Sequence, residues 1–267
     1  MIKSNKLYSD EFLPIVHNIS GVYIPFDLKW EKIGVCLSGG ADSALLTYLV
    51  CSIIETHKLP TVVHVIANIR MWKDRPWQEF TSLQVYNWFV NRFPTISFNR
   101  HINFVPQQLE WGNTGPIVTD ITGKRRSGDE IELIEYSEYV AFRNKLNAWY
   151  SGQTKNPSDP LISDRPPGRD EEVTSLTKPK SVITHYNNLI ACHPFRFVEK
   201  DWIMSQYYNF QLFELLNLTR SCEGDNIQFP EIFNGLDYQS YIPGQAVPEC
   251  GKCFWCQERN WGIANRF

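Results

Sequence analysis

Residues 33–54, IGVCLSGGADSALLTYLVCSII, combine three local signals in one short stretch. The first five residues are apolar with a bias toward β-branched side chains, which predicts a buried strand. The motif SGGADS follows at residues 38–43, and apolar residues then recur at helical spacing as far as Ile54. We therefore predict a strand, a tight glycine turn and a helix that ends before Pro60.

A turn of this kind is suited to binding an anion. Gly39 and Gly40 let the backbone approach a ligand closely, and Ser38 and Ser43 add hydroxyl donors. The helix that follows directs free amides and the positive end of its dipole at the same point. The motif is not a Walker A loop, because no Gly-Lys-Ser/Thr sequence closes it. We predict a phosphate site; a strand-to-helix turn without any ligand is the structural alternative.

The strands that follow predict an α/β fold. Residues 61–69 predict a second buried strand, and residues 96–105 predict a third, with apolar alternation that is interrupted around Arg100. A helical pattern rich in aromatic residues lies between them. This alternation is typical of a doubly wound, mostly parallel sheet with helices on both faces. Ligands of such sheets bind at the carboxyl ends of the strands. The SGGADS turn lies at that edge.

The remaining chain divides into segments of different composition. We predict an N-terminal extension over 1–30, an ATP-binding α/β domain over 31–221, and a C-terminal cysteine region over 222–267. Within the α/β domain, a proline-rich insertion covers about 151–180. The other predicted elements are a polar hairpin over 117–134, a helix over 137–150, a segment over 181–191 that is ambiguous between strand and loop, and a largely helical region over 199–216.

Composition limits the function classes. Hydrophobic residues make up 43% of the 267 positions, which is ample for a core, and the formal net charge is −3. That charge argues against a general nucleic-acid-binding protein. No apolar run reaches transmembrane length, so we expect a soluble cytoplasmic protein without membrane contact.

The cysteines predict a metal site. Residues 250–256, CGKCFWC, form a CxxCxxC run, and Cys222 lies upstream. Four thiolates complete a tetrahedral zinc site with no open coordination position, so we expect a structural Zn²⁺ bound by Cys222, Cys250, Cys253 and Cys256. An iron–sulfur cluster on the CxxCxxC run is the alternative.

The SGGADS motif resembles the SGGxDS loop of the ATP pyrophosphatases, the PP-loop family, whose fold is of the adenine nucleotide α-hydrolase (HUP) type. With the cysteines, the chain further resembles the 7-cyano-7-deazaguanine synthase family. The matching pieces arrive in that family's order: SGGADS at 38–43, YVAFRN at 139–144, His193-Pro194 before Lys200, TRSC at 219–222, and CGKC with Cys256 and Arg259.

This resemblance implies a reaction and a set of roles. In the family, ATP activates a carboxylate on a deazaguanine, ammonia gives the amide, and a second activation gives the nitrile. ATP with Mg²⁺ would bind at Ser38, Gly39, Gly40, Ser43 and Asn68. Asp42 would support the loop or bind magnesium. Arg143 and Lys200 would stabilise negative charge in the transition state, and Arg143 with Asn144 would hold the substrate.

Two departures from the family pattern keep other functions open. The family usually carries Tyr-Pro-Asp-Cys-Arg after the Arg-Asn pair, where this chain has its proline-rich insertion, and the gap from Cys222 to Cys250 is longer than usual. The alternatives are a PP-loop ligase that adenylates another carboxylate or a macromolecule, a tRNA thiolase, and a non-enzymatic zinc-stapled scaffold. The expected partners are a deazapurine carboxylate and ammonia, and the sequence is compatible with a homodimer.

Overall fold

The computed structural model of the chain describes residues 16–70, 75–105, 117–119, 125–159, 162, 169, 183–186 and 189–267. Residues 1–15 of the predicted extension lie outside the described residues. So does most of the predicted insertion, namely residues 160–161, 163–168 and 170–180.

The described chain alternates between strands and helices. The strands are β1 (Val16–Ile19), β2 (Val22–Pro25), β3 (Lys32–Cys36), β4 (Val62–Arg70), β5 (Phe98–Val105), β6 (Ile117–Thr119), β7 (Arg125–Ser127), β8 (Ala148–Tyr150), β9 (Ile183–Tyr186) and β10 (Leu189–Cys192). The helices are α1 (Ala41–Thr56), α2 (Trp77–Arg92), α3 (Gly128–Asn144), α4 (Lys200–Asn209), α5 (Phe213–Leu218), α6 (Pro230–Phe233) and α7 (Phe254–Ala264).

Six of these strands form one sheet in the order β5-β4-β3-β8-β10-β9. The first five are parallel, and β9 pairs antiparallel with β10 at the edge. The chain builds outward from β3 through β4 to β5, then crosses to the other side of β3 to place β8 and β10. The strand order therefore reverses between β3 and β8. Ligands of open α/β sheets bind outside the carboxyl ends of the strands at such a switch point.

Helices cover both faces of this sheet, as a doubly wound fold requires. Ile33 and Val35 belong to the main hydrophobic core, to which α1, α2 and α4 contribute. On the opposite face, Cys36 Sγ lies 3.3 Å from Ser137 Oγ of α3. Leu146, just after α3, packs against Gly34, where an added Cβ would lie 2.9 Å from Leu146 Cδ1. The predicted α/β class is thus confirmed.

The region before β8 differs from the prediction. A helix was predicted over 137–150, but α3 begins at Gly128, inside the predicted hairpin, and ends at Asn144. Residues Ala148–Tyr150 form β8, a central strand that is buried throughout. Three buried residues are too few to show a period, so alternation could not reveal this strand.

The described residues before β3, 16–31, are part of the packed structure. β1 and β2 form a separate antiparallel hairpin, and Phe26 and Trp30 are buried in the main core. The Tyr150 hydroxyl donates a hydrogen bond of 2.6 Å to the Pro25 carbonyl, which ties this segment to the central sheet. Among the described residues, no helix combines the length and the apolar character needed to cross a membrane.

Candidate functional site

The SGGADS turn leaves the carboxyl end of β3 and leads into α1. Gly39 has a φ of +87°, and a Cβ there would lie 3.1 Å from the backbone nitrogen of Ser82 in α2. Only glycine fits this left-handed backbone and this close approach. Gly40 is the N-cap residue, and no side chain caps the helix. The first amides of α1 therefore have no intrahelical acceptor and remain available to a ligand.

The two serine hydroxyls lie at this same point. Ser38 Oγ is 3.2 Å from Ser43 Oγ, and the Ser43 hydroxyl donates to the Gly40 carbonyl at 3.1 Å. The Gly40 amide in turn donates to Ser38 Oγ at 3.3 Å. Hydroxyls and helix amides are thus gathered at one helix N-terminus, which is the arrangement that binds phosphate in proteins.

Gly152, which sequence reasoning missed, closes the turn from the side of β8. An added Cβ would lie 3.0 Å from the Ser43 amide nitrogen and 3.1 Å from the carbonyl carbon and oxygen of Asp42. The backbone after β8 therefore rests directly on the first turn of α1. This contact joins the ends of β3 and β8 at the switch point.

Two more contacts fix the turn from the C-terminal half of the chain. The Arg220 amide donates to the Gly39 carbonyl at 2.9 Å. The buried Tyr207 hydroxyl, on α4, donates to the Ala41 carbonyl at 2.7 Å. The turn is thus held by backbone and side-chain contacts on each side, and its geometry is set before any ligand binds.

Asp42 and Lys200, two of the predicted catalytic residues, are brought together. Lys200 is the first residue of α4, and its side chain is 1% exposed. Its Nζ lies 2.6 Å from Asp42 Oδ1 and 2.5 Å from Oδ2. Both carboxylate oxygens of Asp42 therefore contact the ammonium, so the geometry places Asp42 as a support of the turn.

Asn68, predicted to face the nucleotide, lies at the carboxyl edge of the sheet. It is two residues beyond Ile66, whose carbonyl accepts a hydrogen bond of 2.8 Å from the Leu37 amide. The side-chain oxygen of Asn68 accepts a hydrogen bond of 3.1 Å from Asn103 of β5. Two neighbouring carboxamides thus lie on the strands next to the turn.

Arg143 and Asn144 do not join this site. They lie in the last turn of α3, which packs antiparallel to the strands, with Ser137 near the carboxyl end of β3. Beyond α3, the Asn147 amide donates to the carbonyl of Lys32, the first residue of β3. The end of α3 is therefore at the amino edge of the sheet, opposite the SGGADS turn. Arg143 is exposed and lies over the Tyr139 ring at 6.0 Å, so its placement does not support the predicted contact with the substrate.

The four predicted metal-binding cysteines form a compact cluster that could hold a metal. The sulfurs of Cys222, Cys250, Cys253 and Cys256 all lie within 4.8 Å of one another. Cys222 Sγ is 3.5 Å from Cys250 Sγ, which is 3.8 Å from Cys256 Sγ. Hydrogen bonding among these thiols lowers the pKa of Cys253 and raises the pKa of Cys222 and of Cys256.

Glu223, next to Cys222, ties this cluster to the sheet edge. Its carboxylate accepts hydrogen bonds of 3.2 and 3.0 Å from Nη1 of Arg70, the last residue of β4. Nη1 of the buried Arg75 lies 3.8 Å from the same carboxylate. Burial lowers the pKa of Arg75, and Glu223 opposes that shift. The cysteine loop is therefore anchored to the strand beside the SGGADS turn.

Sequence reasoning also missed Arg169 and Glu258, which extend the contacts of Lys200. Glu258 lies on α7 and Arg169 inside the predicted insertion. Neither occurs in a recognisable motif, and each meets its partner across a long stretch of chain. No local pattern in the sequence could have identified them.

No family model matches the chain, and no curated protein matches it. Among solved structures, the chain is similar to the U34-tRNA thiolase NcsA from Methanococcus maripaludis with its [4Fe-4S] cluster. The two are 13% identical with a TM-score of 0.38, over 87% of this chain and 69% of that chain.

Replacement of Gly152 by alanine tests the geometry of the turn. The added methyl group meets backbone atoms that cannot rotate away, and overpacking of this kind costs about 1–3 kcal/mol. We expect the affinity for a non-hydrolysable ATP analogue, measured by calorimetry, to fall between about fivefold and about a hundredfold. The neighbouring exposed Gln153→Ala is the control and should bind like the unmodified chain. Equal affinities for all three proteins would show that the turn does not bind the nucleotide.

Proposed function

We propose that this chain is an ATP-dependent enzyme of the PP-loop type that transfers adenylate to a carboxylate. One observation carries the proposal: a glycine turn with two hydroxyls and an uncapped helix N-terminus lies at the topological switch point of a doubly wound sheet. Each feature alone is compatible with a plain turn. Together they supply an anion site at the one edge where such sheets bind nucleotides.

The chemistry follows from the low reactivity of a carboxylate toward nucleophiles. A carboxylate oxygen attacks the α-phosphorus of ATP, the bond from that phosphorus to the bridging oxygen breaks, and pyrophosphate leaves. The acyl adenylate then has a good leaving group, so ammonia can displace AMP and form an amide. Negative charge accumulates on the departing pyrophosphate. Fixed amide and hydroxyl donors stabilise such charge most when they are arranged before the reaction.

The chain's residues divide into donors and supports. The amides after Gly40 and the hydroxyls of Ser38 and Ser43 would hold the pyrophosphate. Lys200, which contacts both oxygens of Asp42, would keep the first turn of α1 in place. Mg²⁺ would accompany ATP and neutralise part of the phosphate charge.

The finer proposal for the substrate is 7-carboxy-7-deazaguanine, with ammonia as the nucleophile and the nitrile as the product. It is supported by the order of the SGGADS, TRSC and CGKC motifs along one chain. With Arg143 and Asn144 at the opposite edge of the sheet, we propose that the carboxamides of Asn68 and Asn103 contact the base instead. Carboxamides offer both donors and acceptors, which suits the edge of a deazaguanine.

The burial of Cys36, the cysteine that directly precedes the turn in sequence, argues against the thiolase alternative. Cys36 ends β3, and its Sγ is 3.3 Å from Ser137 Oγ. Burial raises the pKa of the Cys36 thiol to about 11, with the Ser137 hydrogen bond opposing the shift. A reactive cysteine needs a lowered pKa. Cys36 is therefore better described as a packed residue of the sheet.

We further propose that the cysteine cluster binds a structural zinc ion. Zinc–sulfur bonds of about 2.3 Å in a tetrahedron place the sulfurs about 3.8 Å apart. The sulfur distances of 3.5 and 3.8 Å fit that value. A [4Fe–4S] cluster binds each thiolate to a different iron, and so needs its four sulfurs farther apart than a single ion does.

Calorimetry with two ligands tests the enzyme and the substrate separately. We expect the chain to bind a non-hydrolysable ATP analogue, and to bind 7-carboxy-7-deazaguanine once the analogue is present. Binding of the analogue without any heat from the deazaguanine at millimolar concentration would reject this substrate and keep the adenylating chemistry for another acid. Failure to bind the analogue would reject the nucleotide site itself.

Elemental analysis tests the metal. We expect one zinc per chain, and we expect Cys253→Ser to lose zinc and soluble yield together, since metal binding is coupled to folding. Cys36→Ser, at a thiol outside the cluster, is the control and should keep its zinc. Iron with a visible absorbance band would instead identify an iron–sulfur cluster.

A further inference from the structure

Buried charges of alternating sign connect the helix that carries Cys256 to the nucleotide turn. Lys200 Nζ contacts Asp42 on one side and lies 3.2 Å from Glu258 Oε2 on the other. Glu258 Oε1 accepts a hydrogen bond of 2.5 Å from Arg169 Nη2. The side chains of Lys200 and Glu258 are each 1% exposed, and that of Arg169 is 7% exposed. The Asp42 side chain is 23% exposed, and with it the four charges sum to zero, which favours burial of the other three.

Arg169 is held by other contacts besides the one with the Glu258 carboxylate. Its Nε donates to the Thr154 carbonyl at 2.6 Å, and its Nη2 donates to the Thr154 hydroxyl at 2.5 Å. Its guanidinium also lies 5.4 Å from the centre of the Phe254 ring, in the first turn of α7. Thr154 lies two residues beyond Gly152, which rests on the first turn of α1. Arg169 is therefore connected to the first turn of α1 by a second route, through Thr154 and Gly152.

The backbone of α7 is seated directly on Lys200. An added Cβ on Gly262 would lie 2.8 Å from the Lys200 carbonyl oxygen and 2.9 Å from its carbonyl carbon. Glu258 is two residues after the metal-binding Cys256, and Cys253 is the N-cap residue of the same helix. Any shift of α7 that follows loss of the metal would therefore move the carboxylate that faces Lys200.

Packing alone does not require charges here. Buried ion pairs can often be replaced by apolar side chains of similar volume without loss of stability. These charges end on Asp42, which is itself part of the SGGADS turn. Their connection to Asp42 therefore favours the interpretation that these charged residues position the turn, rather than only stabilise the fold.

We propose that Glu258 and Arg169 are positioning residues of the nucleotide turn, and that they transmit the order of the metal-bearing helix through Lys200 to Asp42. Metal binding thereby sets the rigidity of the turn as well as that of the cysteine loop. The parts of this inference that concern ATP and the metal rest on the proposed function. The part that concerns the contacts of Glu258 and Arg169 and the mobility of the turn does not.

Hydrogen exchange of the amides at 44–45, the first in α1 that donate within the helix, tests the inference when it is measured without nucleotide. Glu258→Gln leaves the network with one excess positive charge, and residues of one ion network couple by factors from about twofold to about a hundredfold. We expect exchange at 44–45 to rise about tenfold. The control Glu199→Gln removes a carboxylate adjacent to Lys200 in sequence that pairs with Lys155 instead, and should leave this exchange unchanged.

The double variant Glu258→Gln, Arg169→Gln restores charge balance and guards against a single variant that fails to fold. Removal of the metal by a chelator should raise exchange at 44–45 in the unmodified chain, and should raise it much less in the double variant, where the connection is cut. Equal increases in both proteins, or unchanged exchange in a folded Glu258→Gln chain, would overturn the inference. If the unmodified chain shows the expected exchange but does not bind the ATP analogue, the proposed function fails and the positioning role stands.

Discussion

The parallel pairing of β3 with β4 on one side and with β8 on the other decides where the functional groups of this protein meet. The backbone hydrogen bonds of β3 align its carboxyl end with those of its neighbours, so the SGGADS turn, Asn68 and Gly152 arrive at one edge. The strand order reverses at this point, and open α/β sheets bind their ligands at such a reversal. The same pairing sends the end of α3, with Arg143 and Asn144, to the opposite edge.

The turn itself depends on contacts from distant parts of the chain. A free helix N-terminus with two small hydroxyl side chains has little intrinsic rigidity. Here Gly152, Arg220 and Tyr207 hold its backbone, and Lys200 holds the Asp42 carboxylate. Preorganisation of this kind is what lets backbone donors stabilise developing charge, because no reorganisation is required when the reaction occurs. The C-terminal cysteine region is joined to this arrangement through α7.

The parts of the fold that have a local signature were predictable. The apolar run of β3, the glycine turn and the periodic face of α1 lie within one stretch of sequence. The pattern of the four cysteines likewise predicts that they form a cluster. β8 was missed because three buried residues show no period. Gly152, Glu258 and Arg169 were missed for a different reason, since each acts only through a partner far along the chain.

The prediction for Arg143 and Asn144 shows the limit of motif reasoning. The segment YVAFRN suggested a substrate contact, but a motif does not state the direction in which its helix runs. α3 returns the chain from β5 to the start of β8, so its last turn must lie at the amino edge of a parallel sheet. Knowledge that residues 148–150 form a strand would have been enough to place Arg143 correctly.

The identity of the ATP bond that is broken is the most direct test of the central claim, which is that the chain transfers adenylate. Phosphorus NMR of a reaction that contains ATP, Mg²⁺, ammonium and 7-carboxy-7-deazaguanine, with Ser43→Ala as the inactive reference, distinguishes the two ways of cleaving the triphosphate. An adenylating enzyme must release AMP and pyrophosphate in equal amounts, and this is the result we predict. Formation of ADP and inorganic phosphate would contradict the account.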